Sequence, residues 1–291
     1  MATFINLVIS GLATGAIYAL VAIGFTLLWQ TSQTINFAQG EFVMVPAFFI
    51  LAAMNLGLPF WAAILVGIAV SMLVFGLAFK RLLVDPMLRH GALPLAIATM
   101  ALSIFLKESV KDFYSAEAQP FPSLVPAIDL HVLGATVSLQ NIGVLAVAIA
   151  AVIALQLLLT RTSVGRQMQA AAQNPTVARI LGIPVQRMIL YTFLINAVLV
   201  ALASVLITPV YLAKFSSGET LGLAAFIAAI VGGFNQVRGA IAGGLLLGVV
   251  SNLAANYIST QYRDAIPLFL LIAVILFRPQ GLFGRAEERT V

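Results

Sequence analysis

The chain has 291 residues, of which 62% are hydrophobic and only 9% are charged, and its formal net charge at pH 7 is +5. Soluble domains carry roughly 25% charged residues, so this composition excludes a globular domain with a polar surface. The chain has no cysteine, which excludes disulfides, thiolate metal sites and cysteine nucleophiles.

Long uncharged stretches predict that the chain crosses a membrane several times. Runs of about 18 or more apolar residues can span a bilayer as helices. The N-terminal run lacks the basic segment of a cleaved signal peptide, so we take it as the first helix. The predicted fold is an all-α, polytopic membrane bundle of about eight or nine transmembrane helices. The predicted helices cover residues 4–29, 37–54, 59–79, 92–107, 140–160, 186–210, 217–234, 240–258 and 265–277.

The stretch "QTINFAQGEFVM" follows the first apolar run. Asn36, followed three residues later by Gln39, has the pattern of a capping box and predicts a helix from residue 37. Gly40 and Glu41 would lie in its first turn, where the positive end of the helix dipole favours an anion. Two interpretations stay open: a helix cap at the inner interface, or a polar lining or gate at one end of a pathway.

The longest loop, residues 108–139, is predicted to lie outside the membrane. Its segment "IDLHVLGATVSL" alternates polar and apolar residues around Gly134 and predicts a small hairpin. The helix at 140–160 then links the two halves of the chain.

Residues 161–187 are too polar to cross a membrane and too regularly patterned for an irregular loop. Ser163 is the predicted N-cap of a first short helix. Asn174 and Pro175 fit the N-cap and first position of a second one, and Gly182 suits the left-handed residue that ends it. With Arg166 and Arg179, the small apolar faces of these helices predict contact with the membrane surface or with a groove in another protein.

Ser216 and Glu219 repeat the capping-box pattern ahead of the helix at 217–234. The first capped helix is expected to start at the inner side and this one at the outer side. Within a single transmembrane domain, residues 1–107 and 186–279 are therefore predicted to be inverted repeats, a feature of transporters. Ser216 and Glu219 join Asn36, Gln39, Gly40 and Glu41 as candidate residues of the substrate path or its gate.

The basic residues predict the orientation. With the N-terminus outside, eleven of the 15 lysines and arginines fall in inside loops and four in outside loops. This positive-inside bias predicts an external N-terminus and a cytoplasmic C-terminus. Because the charge is distributed this way, it gives no reason to expect nucleic acid as a partner.

Motifs of enzymes and motors are absent from the sequence. There is no phosphate-binding GxxxxGK[ST] loop, no HExxH and no GxSxG. We therefore expect no catalytic residues, metal or cofactor. A transporter whose energy is supplied by a separate subunit fits best. A stand-alone channel or ion-coupled carrier for small neutral solutes is the alternative from another class.

Four motifs occur in order along the chain: "INFAQGEFVMVPAF", a T-S-x-G-R pattern that continues to G-I at residues 162–183, "AAIVGGFNQVRGAIAGG" and "LFRPQGLFG". Together they resemble the permease subunits of branched-chain amino acid ABC importers, of the shorter type. The resemblance implies a translocation path for leucine, isoleucine and valine or related small amino acids and amides. Members of the class that carry urea or other amino acids are not separated by these motifs.

The same resemblance implies partners and a location. They are two cytoplasmic ABC ATPases, a second permease that is a different chain or a copy of this one, an external substrate-binding protein and the lipid of the bacterial inner membrane. The family's first motif often has His where this chain has Gln39, which does not titrate. The ATPases would dock on the segment that contains Ser163, Gly165, Arg166, Ala170, Asn174, Pro175, Ala178, Arg179 and Gly182.

Overall fold

The computed structural model describes residues 2–126, 128–132, 135–260 and 265–284. Within them the chain is a bundle of helices, six of which are long and apolar enough to cross a membrane. The predicted all-α membrane bundle is confirmed, and three of the nine predicted spans are shorter helices. The helices are α1 (Ala2–Ser32), α2 (Gln39–Asn55), α3 (Phe60–Ser71), α4 (Asp85–Leu88), α5 (Ala92–Phe113), α6 (Leu139–Arg161), α7 (Ser163–Gln173), α8 (Pro175–Ile180), α9 (Val185–Tyr211), α10 (Ser217–Gly232), α11 (Val237–Tyr257) and α12 (Ala265–Phe277).

Helices α3 and α4 belong to one continuous span, Phe60–Leu88. The residues between them, Met72–Ala78 and Lys80–Val84, form wider π-type turns. At the end of this span Lys80 is buried, and its Nζ lies 2.9 Å from Asp85 Oδ2 and donates to Gln186 Oε1 at 3.4 Å. This contact ties the end of the span to the first turn of α9.

The predicted hairpin is confirmed as β1 (Asp129–Val132) and β2 (Ala135–Ser138), which pair antiparallel with Asp129 opposite Ser138. The predicted turn residue Gly134 lies outside the described residues. Helix α6 begins directly after β2 and ends just before α7. We call the two ends of the bundle the hairpin end and the α7–α8 end.

Helix α5 is longer than the predicted 92–107, since it continues to Phe113. A helix that ended at residue 107 would leave Lys107 and Glu108 at its end, but both lie inside the last two turns of α5. Lys111 Nζ lies 2.8 Å from Glu108 Oε2 within this stretch. Long polar side chains near the end of a span reach the interface along its surface, so these charges do not stop the helix. The loop between α5 and α6 therefore starts after Phe113.

Helices α1 and α11 form an antiparallel seam of small residues. A methyl group added to Gly15 would lie 2.7 Å from Gly244 O, and one added to Gly11 would lie 2.8 Å from Val249 Cα. Without a hydrophobic force between helices in lipid, such close backbone packing is what holds them together. At the α7–α8 end, Gln30 of α1 donates to Asn235 O at 2.7 Å, just before α11 begins.

Candidate functional site

The first turns of α2 and α10 touch inside the bundle. A methyl group added to Gly40 would collide with the carbonyl oxygen of Gly218, and one added to Gly222 would lie 2.8 Å from Gly40 Cα. The expectation that these two helix starts lie at opposite sides of the membrane is therefore wrong. Residues 33–38 turn back from the end of α1 into the bundle, which brings the start of α2 to that of α10.

From this contact the two helices extend toward opposite ends. Helix α2 runs toward the hairpin end, where Asn55 Nδ2 donates to Tyr114 Oη at 3.1 Å just beyond α5. Helix α10 runs toward the α7–α8 end, where Gly232 packs against Gly239 of α11.

Neither predicted capping box is formed. Helix α2 begins at Gln39, not at residue 37, and its N-cap Ala38 offers no side-chain acceptor. Asn36 Oδ1 instead accepts from Ala38 N–H at 3.0 Å, and the Gln39 side chain bonds to side chains and not to the backbone N–H of Asn36. Ser216 makes no side-chain cap bond either, and Glu219 accepts from Lys107 Nζ at 3.2 Å.

Three buried amide side chains connect the start of α2 to α9. Gln39 Nε2 donates to Asn196 Oδ1 at 2.7 Å, and Asn196 Nδ2 donates to Gln39 Oε1 at 3.1 Å. Asn36 Nδ2 also donates to Gln39 Oε1 at 3.3 Å. Asn196 is about 17 Å along α9 from its first residue at 1.5 Å per residue. The stretch from Asn36 to Glu41 is therefore an interior feature, and the interpretation as a cap at the inner interface is wrong.

Charged groups surround this point on the α5 side. The Glu41 carboxylate is hydrogen-bonded to the Ser103 side chain and lies within electrostatic range of Lys107 and Glu219. Glu41 is only 3% exposed, whereas the Glu219 side chain is largely exposed. Two carboxylates, at the starts of α2 and α10, thus lie near one ammonium, that of Lys107 on α5. Ionisable side chains inside a membrane-spanning bundle have a high free-energy cost and typically serve a function.

Sequence reasoning missed Asn196, Thr99 and Lys107 as neighbours of this site. Thr99 is buried and its Oγ1 accepts from Phe37 N–H at 3.2 Å. The available signal was a lone amide inside an apolar run, "LINAVLV". Such an amide requires a partner on another helix in a bilayer, where water is absent.

The segment between α6 and α9 folds nearly as predicted. Asn174 accepts from the N–H groups of Thr176 and Val177 at 3.1 and 3.0 Å, with Pro175 at the first position of α8. Gly182 ends the helix with φ +80°. The prediction that Ser163 is the N-cap is wrong. Thr162 has the extended backbone of an N-cap, and its Oγ1 accepts from Gly165 N–H at 2.9 Å.

Two faces of this segment have different surroundings. The inner face, Met168, Ala171 and Ala178, packs on Val185 and Met188 of α9. Gly165 is required there, since a methyl group on it would collide with Leu158 O of α6. The outer face, which we call the α8 face, consists of Val177, Ile180 and Leu181 beside Arg166, Arg179 and Pro175. All of these residues are exposed, and Ile180 is 79% exposed.

Replacing Asn174 by Ala is expected to loosen α8 without unfolding the bundle. Loss of a side-chain N-cap costs about 1 kcal/mol, which is roughly a fivefold rise in the local opening equilibrium. Amide hydrogen exchange of the intact protein, followed in a proteolytic fragment that covers Thr176 and Val177, measures this opening equilibrium. Gln173→Ala is the control, because this exposed neighbour makes no cap. Unchanged exchange in Asn174→Ala would contradict the cap.

Among the described residues, no group of three or more His, Asp or Glu side chains could hold a metal ion.

Comparison with known proteins places these features in a family. The model of a family described as "Branched-chain amino acid transport system / permease component" matches residues 7–275. The chain is 33% identical to the high-affinity branched-chain amino acid transport system permease protein BraD of Pseudomonas aeruginosa, covering 99% of this chain and 98% of the relative. The corresponding protein LivH of Escherichia coli K12 is 32% identical over the same shares. The fructose import permease protein FruG of Bifidobacterium longum is 26% identical, over 89% of this chain and 78% of the relative.

Proposed function

The chain belongs to the branched-chain amino acid transport permease family, and on that premise we propose that it forms the translocation path of an ATP-driven ABC importer for leucine, isoleucine and valine. Near full-length similarity to BraD and LivH supports this substrate class. FruG, a relative named for fructose, is less similar. Urea, other amino acids or amides are the alternatives within the importer class.

The observation that carries the proposal is the α8 face. The exposed side chains of Val177, Ile180 and Leu181 form a small apolar surface that is flanked by arginines. A surface of this size fits a groove in a partner protein. We assign this face, with Ser163, Gly165, Ala170 and Gly182 shaping the segment that supports it, to contact with the ATPases. The permease itself supplies coupling and a route, and ATP hydrolysis belongs to the separate ATPase subunits.

The route of coupling follows from the contacts of α9. Its first turn carries Val185 and Met188, which pack on the inner face of α7 and α8. About 17 Å further along, Asn196 is bonded to Gln39 at the start of α2. When the docked ATPases move the segment, the rigid α9 carries the displacement to the α2–α10 contact. The candidate gate thus consists of Asn36, Gln39, Gly40 and Glu41 facing Ser216 and Glu219.

Partners and orientation complete the proposal. The assembly contains two ABC ATPases, a second permease that is either a related chain or a copy of this one, and an external substrate-binding protein. The α7–α8 end faces the cytoplasm of a bacterium, since Lys80, Arg81, Arg161, Arg166 and Arg179 cluster near it. The N-terminus is then outside, the C-terminus is cytoplasmic, and the membrane is the inner membrane.

The inverted repeat of residues 1–107 and 186–279 remains part of the proposal. It is supported by α2 and α10, which start at a shared contact and extend toward opposite ends of the bundle. Two halves related by a half-turn in the membrane plane require such a pair, and discontinuous helices near the repeat interface are where substrates pass.

Reconstitution tests the proposed function. The chain, purified gently from its native membrane, is expected to bring with it a P-loop ATPase and a second permease that mass spectrometry identifies. In proteoliposomes with the binding protein, leucine uptake is expected only with ATP. The chain recovered alone and moving solute without ATP would favour the carrier instead. Uptake of fructose or urea but not leucine would reject the substrate class.

A further inference from the structure

A cavity of about 310 Å³ lies toward the hairpin end, between α1, α9, α10, α11 and the start of α12. This volume is at the lower end of the range for small-molecule sites, about 300–1,000 Å³. Its polar lining residues are Ser217, Thr220 and Ser251, together with Tyr18 and Tyr211. Its apolar lining residues are Leu221, Leu223, Ala224, Ile227 and Pro267.

The first turn of α10 supplies two of the polar lining residues, Ser217 and Thr220. Ser217 N–H donates to Lys214 O at 3.2 Å, and the N-cap residue Ser216 supplies no side-chain acceptor to the turn. The N-terminus of this 16-residue helix therefore offers its other first-turn N–H groups and a partial positive charge to an anion. Glu219, the acidic residue of the turn, does not line the cavity and is held by Lys107 at 3.2 Å.

A second, independent feature is the hydroxyl of Ser251, which lines the cavity from α11. Ser251 is 5% exposed and its Oγ has no hydrogen-bond partner. Some buried hydroxyls bond to the carbonyl four residues earlier, as Thr192 does with Met188 O and Thr208 with Ser204 O. Thr26 and Ser204 are buried without a partner as Ser251 is, but of these three only Ser251 lines this cavity. A buried hydroxyl without a partner costs about 1–3 kcal/mol. Ser251 is therefore a donor that a ligand in this cavity would satisfy.

We infer that this cavity is a subsite for an aliphatic amino acid, with its carboxylate between the first turn of α10 and Ser251 and its side chain against Leu221, Ala224 and Ile227. This inference rests on the proposed function and adds to it a place where substrate pauses within the permease itself. The combination of anion-binding groups with apolar lining residues suits a carboxylate that carries a short branched hydrocarbon.

Single-cysteine labelling tests the subsite. Because the chain contains no cysteine, Ser251→Cys places one thiol in it at the cavity wall. In the complete importer in lipid nanodiscs, a small methanethiosulfonate reagent is expected to modify this thiol. We expect leucine at 10 mM, about the scale for a weak site, to slow modification at least threefold. Leucinol, which lacks the carboxylate, is expected to leave the rate unchanged.

Thr160→Cys is the matched control, because Thr160 lines the separate cavity of about 510 Å³ at the α7–α8 end. Its modification rate is expected to be the same with and without leucine. Equal rates at Ser251→Cys with and without leucine would overturn the subsite. Equal protection by leucinol would overturn the carboxylate assignment, and a thiol that reacts only after denaturation would mean that solutes do not enter the cavity.

A second pair of variants separates a functional hydroxyl from a structural one. Ser251→Ala is expected to lower ATP-driven leucine uptake at least threefold while the thermal midpoint stays the same or rises, since an unpartnered buried hydroxyl is removed. Ser204→Ala is its control: that hydroxyl is also buried and unpartnered but lines neither cavity, so uptake is expected to stay unchanged. Equal uptake in both variants would overturn the subsite.

Uptake by the unaltered importer is measured in the same preparation. Leucine uptake without protection of the Ser251→Cys thiol rejects the subsite alone and leaves the proposed function standing. Absence of ATP-driven leucine uptake rejects the proposed function, whatever the labelling shows.

Discussion

Arg166→Glu combined with Gly182→Pro is expected to abolish ATP-driven uptake while leaving the chain inserted in the membrane. Gly182 has φ +80° and its N–H donates to Arg179 O at 3.0 Å. Proline fixes φ near about −65° and has no N–H to donate, so the turn that ends α8 and positions the α8 face is lost. Reversing the charge of exposed Arg166 removes a cation from the same docking surface. We expect uptake to fall at least tenfold.

Gly57→Pro provides the matched control for this backbone change. Gly57 has φ +90°, and its N–H donates to Met54 O at 2.9 Å. Open space surrounds it as it surrounds Gly182, but it lies in the α2–α3 turn at the hairpin end. Both variants carry similar local strain, so only the proline at 182 is expected to stop uptake. Transport is measured in vesicles that contain equal amounts of the inserted chain. Normal uptake by the double variant would refute the docking assignment.

Asn196→Leu is expected to give the second large effect, because it leaves the buried Gln39 amide without its cross-helix partner. Such an orphaned group costs about 1–3 kcal/mol in a protein interior. Hydrogen bonds between membrane helices average about 0.6 kcal/mol, so the lower end of that range is expected for stability. The effect on uptake is expected to be larger, at least tenfold, because this pair joins the driven helix α9 to the start of α2. The thermal midpoint of unfolding in detergent measures the effect on stability. Leucine uptake by vesicles measures the effect on transport.

Thr192→Val serves as the control on the same helix. Thr192 is fully buried one turn earlier, but its hydroxyl bonds only to Met188 O of α9 itself. Its replacement is expected to change uptake by less than twofold, since no contact between helices is lost. In Gln39→Leu with Asn196→Leu both amides are gone, so stability is expected to recover while uptake stays low. If Asn196→Leu changed uptake as little as Thr192→Val does, the proposed coupling route through α9 would be contradicted.

The fold class and the α7–α8 segment were predictable because their causes are local. Uncharged runs long enough to cross a bilayer leave a helix as the only way to satisfy the backbone. The Asn174–Pro175 start and the Gly182 end of α8 are set within a few residues of the chain. The same local rule explains the misplaced cap, since Thr162 and Ser163 are both good N-caps and only the backbone geometry distinguishes them.

The sequence by itself determined a polytopic helical membrane protein, its hairpin, its short helices between spans and, through four ordered motifs, its family resemblance. Only the tertiary structure decided that the starts of α2 and α10 meet at Gly40 and Gly218, that Gln39 pairs with Asn196, and that Ser251 opens on a cavity. A capping motif such as Asn36 with Gln39 is predicted from residues that are close in sequence. A buried amide side chain, however, forms its hydrogen bonds with whichever polar group the packing of the helices brings near. Here that partner lies 157 residues away, on a helix brought near by packing.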